Sequence, residues 1–506
     1  MSSTRRPWLR RTVLWLSAFL MVATVLSGVA AGWAYTSAKV STVGGEFTNE
    51  LAIPPLASGR TEPDGTRVFD LDMRSGTSRF LPGRPTPTWG FNGDYLGPTL
   101  RAHRGERVRV DIRNRLPEAS TVHWHGMHLP AAADGGPHQV IAPGARWSPQ
   151  WTLDQPAATL WYHPHPHGAT ESHVRRGLAG MFLVDDDIDT GLPATYGVDD
   201  LPLIVQDVRL RGGALDHRRG MFADTGVLGD RTMVNGTLAP YRDVGDELIR
   251  LRLLNAASAR IFTFGFGDDR TFDLIGTDGG LLERPAPSTR VRLSPGERAE
   301  IVVRMRPAER VTLRGYPTDL GDGFWNRRFT GGDDTFDVLE LRAAETLRTT
   351  TVPARWPVPL SLPRAADSVR ERTFDLQFPN IDGSPMSMDR IDATVERGTT
   401  ETWVVRNTDG MPHNFHVHDV QFAVTAVDDR PPPPPELRGR KDTVLLRPGG
   451  SMRLVLRFDG PADPDHPYMY HCHLLWHEDQ GMMGQFLVTE PGTPPATPAP
   501  STGHHH

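Results

Sequence analysis

The side chains best equipped for chemistry lie in one stretch near the C-terminus, His471-Cys472-His473-Leu474-Leu475-Trp476-His477-Glu478-Asp479-Gln480-Gly481-Met482. Cys472 is the only cysteine in 506 residues. A free thiol is most often a small buried hydrophobe. Here it is flanked by two imidazoles, with His477 and Met482 a few residues further on, which is a donor set for copper. Soft sulfur with imidazole favours that metal, and one Cys, two His and a weak axial Met compose a blue-copper site.

Successive side chains of an extended strand alternate between faces. If His471-Cys472-His473 is extended, both histidines point one way and the Cys472 sulfur the other, so one strand serves two metal sites. Met411-Pro412-His413-Asn414-Phe415-His416-Val417-His418 has the matching parity: His416 and His418 share a face, and His413 lies on the opposite one. The pattern predicts one site from Cys472, His413, His477 and Met482, and a separate imidazole-only site that includes His416, His418, His471 and His473. A bulge near Pro412 would break this pairing. Two further His-x-His pairs, His123-Trp124-His125-Gly126 and His163-Pro164-His165, stand in the N-terminal half and bring the cluster to eight histidines. One such pair on a strand is as readily structural as functional; four, one of them straddling the only cysteine, point to several coppers.

Together the four motifs resemble those of multicopper oxidases, and of the bacterial three-domain copper-efflux and laccase-like group in particular, from about Phe91 to Val488. The resemblance implies four copper ions. The type 1 ion would take His413, Cys472, His477 and Met482, and the type 2 ion His123 and His416. One type 3 ion would take His125, His163 and His473, and the other His165, His418 and His471. It also implies an enzyme that couples one-electron oxidation of a reducing substrate to four-electron reduction of dioxygen to water. Electrons would pass through Cys472 to its neighbours His471 and His473. Asp134 and Glu478 match positions thought to shuttle protons, an anchoring role toward the ligands being the structural alternative. Asp409 and Met411 match positions that help to bind a cuprous substrate, and a thioether beside a carboxylate suits Cu(I). No methionine-rich insertion accompanies them, so Cu(I) and phenols or aromatic amines stand level as substrates. A non-catalytic copper carrier or cell-envelope structural protein on the same fold is an alternative, although relatives of that kind lose ligands and this chain keeps them all. A copper nitrite reductase is another, but it should lack the His471/His473 pair.

The elements that must position these residues show themselves by repetition. Gly105, Asn114, His123 and His125 recur with identical spacing as Gly398, Asn407, His416 and His418. The middle third offers Gly245 and Asn255, and the same steps from Asn255 land on Phe264 and Phe266, apolar residues where ligands would be. Pro143-Gly144, Pro295-Gly296 and Pro448-Gly449 repeat likewise, and Gly177–Val184 mirrors Gly481–Val488 with Leu178 opposite Met482. The length, 50 Gly, 45 Pro and a charged fraction of 23% suit three loop-rich β domains. The expected architecture is all-β, with three cupredoxin-like Greek-key β-sandwiches. Their bounds are read as residues 45–188, 200–346 and 366–490; the first and third carry ligands and the second is a spacer. Residues 185–202 and 349–363 read as linkers, Pro431–Pro435 as a surface loop, and 491–506 as a disordered tail. His103, His128, His138, His167, His173, His217 and His466 read as loop or surface residues. A monomer is expected.

A net charge of −6 gives no reason to invoke nucleic acid, and one cysteine permits no internal disulfide. Residues 1–40 give an address. Arg5-Arg6 precedes an apolar run from Val13 to about Tyr35, the pattern of a twin-arginine export signal. Cleavage after export is the favoured reading and an uncleaved membrane anchor the alternative, since the run is long enough to span. Either places the body in the periplasm, cell envelope or extracellular space.

Overall fold

The computed structural model describes residues 7–220, 222–349, 351, 356 and 361–493. The Arg5-Arg6 pair, most of the 349–363 linker and the tail beyond Thr493 lie outside the described residues.

One connectivity occurs three times. In each unit, one sheet contains a parallel pair of strands distant in sequence: Arg67–Leu81 beside Arg107–Asn114, Asp200–Val208 beside Leu248–Asn255, and Ser368–Gln377 beside Thr400–Asn407. The facing sheets also share an order. The first runs Leu100–His103, Gly180–Asp185, Ala158–His163, His123–His125; the second Pro240–Asp246, Phe336–Arg348, Arg310–Tyr316, Phe262–Phe266; the third Ala393–Glu396, Met483–Thr489, Asp463–His471, His413–Val417. Each begins with a parallel pair and continues antiparallel. These are three cupredoxin-like β-sandwiches of Greek-key type.

Sequence pattern explains the layers. Along Arg107–Asn114 the side chains of Val108, Val110 and Ile112 turn inward and Arg109 and Asp111 between them outward, the period-two pattern of a half-covered strand. Every residue of Leu248–Asn255 is buried, because the middle unit is covered on both faces. The repeated asparagine has one job in each copy. Asn114, Asn255 and Asn407 are buried, and each donates two hydrogen bonds from Nδ2 to carbonyls that a turn would otherwise leave unpaired: Glu118 and Ile141, Arg260 and Leu293, Met411 and Leu446. Phe264 and Phe266 lie on Phe262–Phe266, fully buried in the middle core, on the strand equivalent to those that carry His123/His125 and His416.

Three expectations need correction. Asn49–Glu50 adds a parallel edge to Pro240–Tyr241, so the chain just past residue 45 extends the middle sandwich before the first begins. The strand carrying His471 ends there, and Cys472 and His473 follow outside the sheet. His173 is neither loop nor surface. It sits in the helix Thr170–Arg176 with no exposure, its ring edge-on to Trp89 and its Nδ1 3.0 Å from the Ser120 hydroxyl.

Candidate metal centre

Strand register assembles the histidines. His123 stands opposite His163 across one antiparallel pair, and His416 opposite His471 across another. The first and third units face each other through these strands. The rings of His123 and His418 stack at 3.8 Å, and those of His125 and His416 at 3.7 Å. All eight histidines are at most 1% exposed. His413, Cys472 and His477 gather apart from the eight, although Cys472 and His473 lie past the strand end.

Hydrogen bonds fix which ring nitrogens are free. A backbone carbonyl only accepts, so an imidazole nitrogen facing one must carry the proton, and the other nitrogen keeps its lone pair. Nδ1–H of His123 donates to the Asp134 carbonyl at 3.0 Å, and Nδ1–H of His416 to that of Asp442 at 2.9 Å. Their Nε2 atoms are buried and lack a hydrogen-bond partner among the described residues. His163 and His471 are held the same way by the carbonyls of Pro164 and Cys472. His418 donates from Nδ1 to the Asp134 carboxylate at 2.7 Å.

The remaining nitrogens converge. Nε2 of His471 lies 3.1 Å from Nε2 of His165 and 3.2 Å from Nε2 of His418. Nε2 of His163 lies 3.4 Å from both Nδ1 of His125 and Nε2 of His473. In the His471–His418 and His163–His125 pairs both facing nitrogens keep their lone pairs, which repel in a dry pocket unless a cation lies between them. Two imidazoles on one ion at roughly 2.0–2.1 Å place their nitrogens roughly 3.3–3.6 Å apart at tetrahedral to trigonal angles. The two pairs at 3.4 Å fall within that range, and the pairs at 3.1 and 3.2 Å lie just below it.

The sulfur cluster is equally dry. Cys472 Sγ lies 3.5 Å from Nδ1 of His477 and 3.8 Å from Nδ1 of His413, and those two nitrogens are 3.0 Å apart. Nε2–H of His477 donates to the Asp224 carbonyl of the middle unit at 2.8 Å, which leaves Nδ1 free. Met482 is buried, and its backbone bonds both Cys472 and His477. Burial raises the Cys472 thiol to about 12 and lowers His471 and His477 to about 3. It also drives His125, His163, His165, His416, His418 and His473 far below the usual imidazole range. Neutral imidazoles are the form that binds a metal, whereas the thiol must give up its proton to do so.

Asp134 and Glu478 both reach the eight-histidine cluster. Asp134 holds His123 and His418 as described, and the Glu478 carboxyl lies 3.3 Å from Nδ1 of His165 and of His471. Gly135 and Gly126 permit this closeness. Both have positive φ; a Cβ on Gly135 would meet the Val122 carbonyl oxygen at 1.7 Å, and one on Gly126 would meet Arg298 and Asp442 at 2.6 Å.

The residues missed from sequence are those last two. Asp442 faces His125 Nε2 at 3.1 Å, accepts His416 through its carbonyl, and receives two charged hydrogen bonds from Arg298, at 2.7 and 2.6 Å. Arg298 belongs to the middle unit and also donates to the carbonyls of Thr159, Gly296 and Asp278. The middle unit thus reaches the histidine cluster through Arg298 and Asp442. Their signal in sequence is faint: charged residues beside the apolar runs that follow Pro295-Gly296 and precede Pro448-Gly449.

Asp409 lies outside His413, with Oδ2 3.3 Å from Nε2. Hydrogen bonding to His413 holds its carboxyl near 2 despite partial burial. Asp409 and Met411 share a cavity of about 190 Å³ with Asp224, Asp322, Asn326 and Thr330.

Family models described as multicopper oxidase match residues 72–189 and 357–492. A multicopper oxidase of Staphylococcus haemolyticus is 33% identical over 445 residues, covering 87% of this chain and 93% of the relative. The cell division protein FtsP of Salmonella typhimurium is 36% identical over 451 residues, 87% of this chain and 92% of the relative. Among solved structures, a laccase-like multi-copper oxidase CueO from the lignin-degrading bacterium Ochrobactrum sp. superposes with a TM-score of 0.78 at 35% identity, over 87% of this chain and all of that one.

Proposed function

The chain belongs to the multicopper oxidase family, and from that premise we propose that it oxidises a reducing substrate one electron at a time and reduces dioxygen to water. The observation that carries this reading is the pair of buried donor sets joined by Cys472, one on each side of its backbone. In the proposed assignment His413, Cys472, His477 and Met482 hold the type 1 copper, and His123 with His416 the type 2 copper. His125, His163 and His473 hold one type 3 ion, and His165, His418 and His471 the other. When bound, the four coppers supply the single-electron acceptor and the four-electron chemistry toward dioxygen.

The chain's own part is placement. Cys472 donates sulfur to one set while its carbonyl accepts from His471 Nδ1 at 3.3 Å, a short covalent and hydrogen-bonded link between the two sets. In this reading Asp134 and Glu478, which lie against its imidazoles, hand protons to the dioxygen pocket. The carbonyls of Asp134, Pro164, Asp442, Cys472 and Asp224 fix tautomers, so that the lone pairs face inward before any ion arrives.

The entry cavity favours a small cation. Asp224, Asp322, Asp409 and Met411 are among its lining residues, and carboxylates beside a thioether suit a cuprous ion. Cu(I) is therefore the preferred substrate in this reading, with phenols as the second, the Ochrobactrum relative being described as active towards lignin model compounds. Asp409→Ala should lower the rate on Cu(I) about tenfold and leave a phenol's rate within about twofold; an equal loss on both rejects the Cu(I) site. The likeness to FtsP keeps a structural role in the cell envelope as the contrasting reading. Oxygen consumption coupled to bleaching of a reduced dye, abolished by Cys472→Ser, supports the oxidase. Copper-loaded protein that consumes no oxygen supports the structural role.

A further inference from the structure

The helix Pro7–Ala38 runs into the body almost without a spacer. Its apolar part, Leu14–Ala38, has 25 residues, about 37 Å at 1.5 Å per residue and more than the ~30 Å hydrocarbon core of a bilayer. Trp15, Phe19, Leu20 and Leu26 are each more than half exposed. Two residues past the helix the chain is already tied into the middle sandwich. Val40 N–H donates to the Asp334 carboxylate at 2.8 Å, and Ser41 bridges to Thr335.

At the foot of this helix lies a cluster of rings. Tyr35 stacks on Trp325 with centroids 5.3 Å apart and meets Phe324 edge-on at 6.3 Å, while the Arg328 guanidinium lies 4.4 Å over Tyr35. Trp33 and Phe324 are 72% and 73% exposed, and Phe222 is 46% exposed nearby, against Phe329. Phe324 and Trp325 belong to the short helix Gly323–Phe329, whose Asn326, with the adjoining Asp322 and Thr330, lines the cavity beside Asp409. One seven-residue helix therefore joins the foot of the apolar helix to the electron-entry end.

An exposed aromatic cluster continuous with a membrane-length helix has the chemistry of the bilayer's interfacial belt, where amphipathic rings sit at the headgroup level. Charge agrees on sidedness. Arg5, Arg6, Arg10 and Arg11 precede the apolar run and only Lys39 closely follows it, so the N-terminus stays inside and the body outside.

We propose that this helix is retained as an anchor and that Tyr35, Phe324 and Trp325, with Trp33 and Phe222, seat the body on the outer lipid–water interface. The cavity beside His413 then opens next to the membrane surface, and the reductant is met there. This replaces the cleaved-signal reading of the N-terminus. The seat rests on the helix and rings alone; only its consequence for electron entry rests on the oxidase reading.

The test uses full-length, copper-loaded protein in phosphatidylcholine vesicles. Cys472 is buried and is the only native cysteine, so Phe324→Cys and Val369→Cys can each carry one nitroxide. Val369 is 70% exposed and lies nine residues along the chain from Phe378, which stacks on Trp476 beside His477; that is about 30 Å of strand away from the entry end. The expected result is a ratio of oxygen to water-soluble nickel accessibility about threefold or more higher at 324 than at 369, in protein whose intact mass includes residues 14–38. Equal ratios at the two positions, or a mature chain lacking the helix, overturn the proposal. Trp325→Cys repeats the reading at a second position, and unchanged unfolding midpoints show that the labelled chains are folded. Oxygen consumption measured on the same samples separates failure of the seat from failure of the oxidase reading.

Discussion

Replacing Arg298 by methionine probes how the middle sandwich supports the metal centre. Arg298 is fully buried and spends its five N–H donors on both oxygens of Asp442 and on the carbonyls of Thr159, Gly296 and Asp278, drawing on all three units. Methionine keeps the length and removes the charge. Asp442 would then be a buried carboxylate left with Thr443 Oγ1 at 2.9 Å and His125 Nε2 at 3.1 Å. Breaking a buried pair from one side costs about 3–5 kcal/mol, and three carbonyls losing their donor push the cost toward the upper end. Urea unfolding of copper-free protein reads that cost in its first transition. Asp442→Asn in the same chain removes the stranded charge, so the double variant should be at least about 2 kcal/mol more stable than the sum of the single losses predicts. Copper content adds an independent reading, because Asp442 orients His125 and His416: Arg298→Met should lose copper from the histidine cluster while keeping the blue absorbance of the Cys472 site. A cost below about 1 kcal/mol, or strictly additive single effects, would refute the bracing role.

Other outcomes follow from the same geometry. Burial pushes the Glu300 carboxyl up, but Arg250, Arg252 and the Thr159 hydroxyl overcome it and hold the group at about 2. A carboxylate with a depressed folded value stabilises fully above its unfolded value and loses that contribution as pH falls toward the folded one. Glu300→Gln should therefore be less stable than the parent by about 3 kcal/mol at pH 7, and urea midpoints of the two should converge between pH 4.5 and 2. A gap that stays constant across that window contradicts the pairing. Glu478→Gln, which keeps the shape beside His165 and His471, should retain full copper and the blue band yet turn over about 10²-fold more slowly; unchanged turnover and pH dependence remove Glu478 from the proton path. Gly126→Ala should lower the unfolding midpoint and the copper content together, since its Cβ meets Arg298 and Asp442 at 2.6 Å with φ at +83°; a neutral result would mean the backbone there relaxes freely.

Much of the candidate site was legible because its residue types are rare and its spacing is local. One cysteine between two histidines, and the odd offset of His413 from the His416/His418 pair, pointed to two donor sets from the sequence alone. That separation survived although the strand stops at His471, because Cys472 and His473 keep opposite directions in the segment that follows. Repetition showed the three sandwiches, and Phe264 and Phe266 marked the unit with core phenylalanines where the others carry histidines. What stayed hidden was long-range and charged. Arg298 and Asp442 are 144 residues apart, and in a chain with many arginines nothing local marks one as buried. His173 shares its type with surface histidines, and only the Trp89 and Ser120 packing makes it core. The strand Asn49–Glu50 is too short to declare its partner, so its pairing with the middle unit is decided by tertiary contact.

Copper bound per folded chain, measured on protein purified without chelators and then dialysed, tests the central claim most directly. Two donor sets filled as assigned predict about four ions per chain, with a blue thiolate band that disappears in Cys472→Ser while about three ions remain. About one ion per chain, or loss of all copper with the single sulfur, would contradict the account.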